Sequence, residues 1–169
     1  MAGSLVQVAT NTVTSAVSSV TLTGINTDDV YMVTMSNMQP SADSQIYARV
    51  TTSGTADTDS EYDYANKYLK ADAAFTNDVS ANNDRWVPTS TLESDYGGYG
   101  MIMYLYNFNN SSEYSYMSSE EAHIQSGTTT VRGLQGGGVH TVAEANDGIN
   151  FSMGSGNIES GTFTLYKVV

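Results

Sequence analysis

The chain has no cysteine among its 169 residues. That excludes disulfides and thiol nucleophiles. It leaves His123 and His140 as the only imidazoles, too few for a cysteine/histidine zinc site. Positive charge is also scarce: six Lys and Arg stand against eighteen Asp and Glu, a net charge of −12. The basic residues are scattered from Arg49 to Lys167, so no patch exists to neutralise phosphates, and direct nucleic-acid binding is not expected. No run approaches the roughly 20 apolar residues that span a bilayer. The opening "MAGSLVQVAT" lacks a basic segment followed by an apolar one, so no secretory signal is read and synthesis in a cytoplasm is expected.

What is abundant points to strands. Ser and Thr make up roughly a quarter of the chain, with fifteen glycines and twelve tyrosines. Short alternating runs follow one another between polar breaks. In "VSSVTLTGI", Val20 and Leu22 alternate with Thr21 and Thr23; in "VYMVTMSNM", Tyr31, Val33 and Met35 share a face; in "QIYARVTTSG", Ile46, Ala48 and Val50 do the same. "YGMIMYLYNFNN" is the strongest strand, with Ile102, Tyr104, Tyr106 and Phe108 on one face and Met101, Met103 and Leu105 on the other. "INFSM" aligns Ile149, Phe151 and Met153, and "GSGN" turns the chain into the closing "NIESGTFTLYKVV", which is expected to pair with it. "YDYANKYLKADAAF" fits helix and strand equally, and "NDVSANNDRWVPTST" reads as a long loop with a strand around Trp86 and Val87. Gly136-Gly137-Gly138 marks a bend or a close backbone approach. The expectation is all-β: one domain over residues 1–169, a single antiparallel β-sandwich of nine or ten strands with jelly-roll-like topology.

Sites are weaker signals. Asp57, Asp59, Glu61 and Asp63 alternate in "DTDSEYD", a spacing that can gather oxygens around calcium, although the EF-hand pattern fails at Tyr62. The plain reading is a solvated face with Tyr62 and Tyr64 turned inward. Neither histidine belongs to an H-E-x-x-H pattern, and "GSG" at 154–156 is not a nucleophile elbow, since Met153 and Asn157 occupy the positions that need glycine. No catalytic, cofactor or metal residue is assigned, and no enzyme is expected. Half of the tyrosines fall between Tyr96 and Tyr116, which suits sheet packing, a protein interface or a sugar.

"VTLTGI", "DVYMVTMSNMQPSADSQIYARVTTSG", "YDYANKYL", "YLYNFNNSSEYSY", "GGGVHTV" and "DGINFSMGSGNIESGTFTLYKVV", taken in order, resemble a family of tailed-phage virion structural proteins that occur as head-decoration, head-fibre or tail-associated proteins. Such proteins commonly close on a Gly-Thr strand ending in Leu-Tyr-Gly. Gly161, Thr162, Leu165 and Tyr166 fit, while Lys167 stands where glycine is usual. The resemblance implies a non-enzymatic β-sandwich in the virion, assembled in the bacterial host cytoplasm as a homo-oligomer, a trimer for preference, against capsid or tail proteins. A decorating or cementing role on the capsid comes first. The alternative is a tail or fibre component that binds a host glycan or acts as an adaptor, with 96–99 and 107–110 as the loops to inspect. Met101, Met103, Tyr104, Leu105, Tyr106, Phe108, Val168 and Val169 are the candidate interface residues.

Overall fold

A computed structural model describes residues 3–125, 127 and 129–169. It contains twelve strands and one three-residue 3₁₀ turn, Ser94–Tyr96. The strands are β1 (Leu5–Val13), β2 (Ser19–Thr23), β3 (Tyr31–Pro40), β4 (Ile46–Thr52), β5 (Thr55–Ala56) and β6 (Tyr62–Lys70). They continue as β7 (Thr76–Asn83), β8 (Tyr99–Tyr106), β9 (Tyr114–Ile124), β10 (Val131–Ala143), β11 (Gly148–Met153) and β12 (Ile158–Val168). Eight form one sheet in the order β1-β12-β3-β8-β9-β10-β6-β7, four form a second in the order β2-β11-β4-β5, and the paired strands are antiparallel.

The alternation read from the sequence decides which side chains meet between the sheets. Val20 and Leu22 of β2, Ile46, Ala48 and Val50 of β4, and Ile149 and Phe151 of β11 face Val33, Met103, Leu105, Phe163 and Leu165 of the larger sheet in one core. Each of these side chains except that of Ala48 contributes about 1.5–3 kcal/mol on burial. Two asparagines shift the phase. Asn37 (φ 50°) sits where β3 slips register between Met35 and Met38, which returns Met38 to the core. Asn107 (φ 58°) follows β8, so that Phe108 turns inward, away from the face it would share with Tyr104 and Tyr106. Asparagine tolerates this left-handed backbone better than most residues.

The structure corrects three expectations, the strand count, the long loop and the last hairpin, and settles two readings that were open. Among the described residues there are twelve strands, where nine or ten were expected. Tyr62–Lys70 is a strand, and Thr76–Asn83 within the supposed loop is its hairpin partner. β11 does not pair with β12: it lies between β2 and β4, while β12 lies between β1 and β3. Gly154–Asn157 therefore crosses from one sheet to the other, and Phe151 meets Phe163 across the core with ring centroids 5.8 Å apart. The glycine triplet does not bend the chain, because it lies inside β10. It permits close approach: Trp86 lies against Gly138, and Asn66 lies against Gly136 and donates to Val87 O at 2.8 Å.

Candidate functional site

The outer face of β8, β9, β10 and β6 carries exposed tyrosines and two hollows. Alternation sends Ile102, Tyr104 and Tyr106 outward from β8, while Met101, Met103 and Leu105 point inward. Register then places Tyr104 beside Ser118 and Gly137, and Tyr106 beside Tyr116 and Val139. The rings of Tyr104 and Tyr106 stack at 6.5 Å with 25° between planes, and the Tyr106 hydroxyl lies 3.2 Å from Ser118 Oγ. Tyr104 is 37% exposed and Tyr116 43% exposed. Gly137 has no side chain to fill the space beside them. The result is two adjoining hollows: one of about 400 Å³ bordered by Ile102, Tyr104, Glu120 and Gln135, and one of about 460 Å³ bordered by Tyr106, Tyr116, Gly137 and Val139.

The eight candidate interface residues separate accordingly. Tyr104 and Tyr106 are on this face. Met101, Met103, Leu105 and Phe108 are not available to a partner, because the chain's own core covers them. Val168 ends β12, its N–H donating to Val30 O at 2.9 Å; Val169 follows the strand, its N–H donating to Ser4 O at 2.9 Å while its side chain stays half exposed. The loops singled out for sugar are largely occupied by internal bonds. Tyr99 is buried with its hydroxyl donating to Glu93 O, Asn107 Nδ2 donates to Glu113 at 2.9 Å, and Asn110 Nδ2 donates to Asp28 at 3.0 Å. Tyr96 alone of these is half exposed.

The acidic run folds differently from its spacing. Tyr62 is fully buried, as alternation implies, with its hydroxyl donating to Asp57 O at 3.1 Å. Asp63 faces away and accepts from Asn82 N–H at 2.8 Å. Two residues from the end of the chain's tenth strand take its place. His140 Nε2 lies 2.8 Å from Asp57 Oδ2 and 3.6 Å from Glu61 Oε2, and Glu144 closes the group. Burial, then the charge of Asp57, pushes the Glu61 carboxyl up.

His123 stands in a second buried chain. Its Nδ1 is 2.6 Å from Glu121 Oε2 and its Nε2 is 2.6 Å from Ser90 Oγ. With Nδ1–H donated to Glu121, Nε2 is left to accept from the serine. Burial pushes the Glu121 carboxyl up, opposed by the hydrogen bond and charge of His123. The order of groups is that of a nucleophile–base–acid triad. However, the nearby amides of Leu92 and Ser94 are spent on Ser44 O and Asp43 Oδ1, each at 2.9 Å, and give no oxyanion donor. The chain acts as a clamp between β9 and the segment after Trp86.

Fold and face together define an all-β, two-sheet antiparallel domain with a tyrosine-bearing outer surface. No protein-family model matches the chain, and no curated protein matches it. A solved structure of infectious bursal disease virus, Gt strain, aligns with 99% of this chain and 42% of its own, at 10% identity and a TM-score of 0.15. The chain thus spans less than half of that one, and a likeness at this score carries no argument.

Proposed function

We propose that the chain is a non-enzymatic structural protein of a tailed-phage virion, a jelly-roll module that decorates the capsid surface. Strand adjacency supports the jelly roll. The first strand pairs with the last and the second with the penultimate, and the runs β1-β12-β3-β8 and β2-β11-β4-β5 form two interleaved four-stranded halves. That is the layout of two Greek keys, an architecture used by viral capsid and lectin domains. β6–β7 and β9–β10 are then additions that widen one sheet.

The observation that carries the docking role is the outer face. Tyr104, Tyr106, Tyr116, Ile102 and Val139 form an apolar centre with Glu120 and Asp63 beside it, the aromatic-centre, polar-rim composition of a protein interface. Attachment to a symmetric particle goes with several copies, and a trimer is the expected unit. In the test, purified protein is mixed with heads that lack it. Wild type should sediment with the heads and raise their resistance to heat, while the Tyr104→Ala/Tyr116→Ala double variant stays in the supernatant with its own melting temperature unchanged. Heads that are equally heat-resistant without the protein would remove the cementing role.

A second reading is favoured by the same tyrosines. Bared rings beside Ser118, Glu120 and Gln135 offer a stacking platform with hydrogen-bonding groups, which suits a host-surface glycan and a tail or fibre location. Retention on a glycan array, lost in the double variant, would favour it; no adsorption to host cells would refute it.

A further inference from the structure

We propose that Asp57, His140 and Glu144, with Glu61 beside them, form a site for a borderline divalent cation of the Zn²⁺ or Ni²⁺ type. One ligand atom from each of the first three lies within 4.8 Å of the others. A cluster of carboxylates alone would be no more than a solvated loop. Here a buried imidazole points into it.

The His140 side chain is 0% exposed, and its ring is held against Tyr62 at 4.9 Å between centroids. Its Nδ1 has no hydrogen-bond partner, and Nε2 meets nothing but the carboxylates of Asp57 and Glu61. Core packing therefore fixes Nε2 among three acidic groups, with no partner outside them; without metal Nε2–H donates to Asp57, and a cation bound there takes the place of that proton, leaving the neutral ring protonated at Nδ1. Calcium and magnesium select oxygen ligands, whereas imidazole suits zinc and related first-row metals. The site thus differs from the calcium expectation in membership and in chemistry: Asp59 and Asp63 leave, and His140 and Glu144 enter.

Charge and support agree with this. Among the described residues, no lysine or arginine forms an ion pair with Asp57, Glu61 or Glu144; the ion pairs go to Asp84, Asp72 and Asp29. The ligands are also held from behind. Asp57 Oδ1 accepts from Asp59 N–H at 2.9 Å, Thr52 Oγ1 donates to Glu144 at 3.4 Å, and Glu61 O accepts from Thr141 N–H at 2.8 Å. Such outer contacts orient ligands before a metal arrives. An open cleft of about 300 Å³, bordered by Thr52, Thr55 and Asp59, gives a cation access from solvent and leaves room for a water ligand. A bound cation would tie the 57–61 loop to the end of β10 and act as a stabilising clip.

The test uses protein dialysed against chelator and then titrated separately with Zn²⁺, Ni²⁺ and Ca²⁺, read by calorimetry and thermal melting. The expected result is one site per chain for Zn²⁺ or Ni²⁺, with a melting temperature raised by roughly 5–10 °C at a hundredfold excess over Kd. Glu144→Gln and Asp57→Asn should melt like wild type without metal and lose that rise; they are preferred to substitution of His140, which is embedded in the core. A response to Ca²⁺ alone would overturn the assignment of the imidazole as ligand. No response to any of the three metals, or a Zn²⁺ response retained in both variants, would overturn the site.

Discussion

Replacing Gly138 with alanine sets the tolerance of the β10 surface against the space occupied by Trp86. A Cβ at Gly138 would lie 2.6 Å from both Cδ1 and Nε1 of Trp86 and 2.8 Å from Asp63 O. Trp86 cannot yield easily. It is fully buried, edge-on to Tyr62 at 5.2 Å, and its Nε1–H donates to Val139 O at 3.2 Å. Overpacking costs about 1–3 kcal/mol. Losing the indole hydrogen bond adds about 1 kcal/mol, and the lower entropy of the unfolded alanine chain returns about 0.4–1 kcal/mol. The net is a destabilisation of roughly 1–3 kcal/mol, or about 3–10 °C in melting temperature for a chain of this size. Gly137→Ala is the control, since its Cβ points outward with Met117 O as its nearest neighbour at 3.2 Å. That variant should stay within about 0.5 kcal/mol of wild type. Urea and thermal unfolding followed by circular dichroism measure both. Equal stability of the two variants would refute the assignment of inward and outward faces in β10.

Met103→Ala should cost about 2–5 kcal/mol, because Met103 is fully buried between the sheets and its removal leaves a cavity; a loss below about 1 kcal/mol in urea unfolding would contradict that packing. Asp84 gives a pH dependence. Desolvation raises its carboxyl, but hydrogen bonds and charge from Arg85 and Arg49 outweigh this and hold it below the ordinary value of 3.8. Its folded-state pKa is depressed, so its contribution is complete above about pH 4 and is lost as pH falls through the folded value. Melting curves of Asp84→Asn should therefore fall less steeply than wild type below about pH 4. Parallel curves would show that the pair with Arg49, 3.0 Å apart, adds nothing.

The class of fold was legible because β3, β4, β8 and β11 bury alternate apolar residues, and period two reports that directly. β6 hid because one of its inward positions is Asn66, whose Nδ2 donates to Val87 O, so the buried stripe is not apolar. β7 hid because it is the outermost strand of its sheet and carries mostly exposed polar residues. Pairing between β11 and β12 was inferred from their nearness in sequence. Alternation says which residues face a core but not which sheet they face it from, and these two strands meet there from opposite sides. Phe108 was assigned to the wrong face by extending alternation through Asn107, whose left-handed backbone breaks it. Tyr104 and Tyr106 were visible as candidates in a strand. Asp57 and His140 were not visible as a pair, because 83 residues separate them and only the register of β10 against β6 brings them together.

The pairing of β1 with β12 has a consequence for engineering. It continues to the described ends, where Ser4 and Val169 exchange two backbone hydrogen bonds, N–H to O at 2.6 and 2.9 Å. The two ends of the fold therefore lie side by side at one edge of the larger sheet. A short linker can join them, and new ends can be opened at an exposed turn such as Ser53–Gly54 without removing a strand from either sheet. By the same geometry the domain can be inserted into a surface loop of another protein, entering and leaving at a single point.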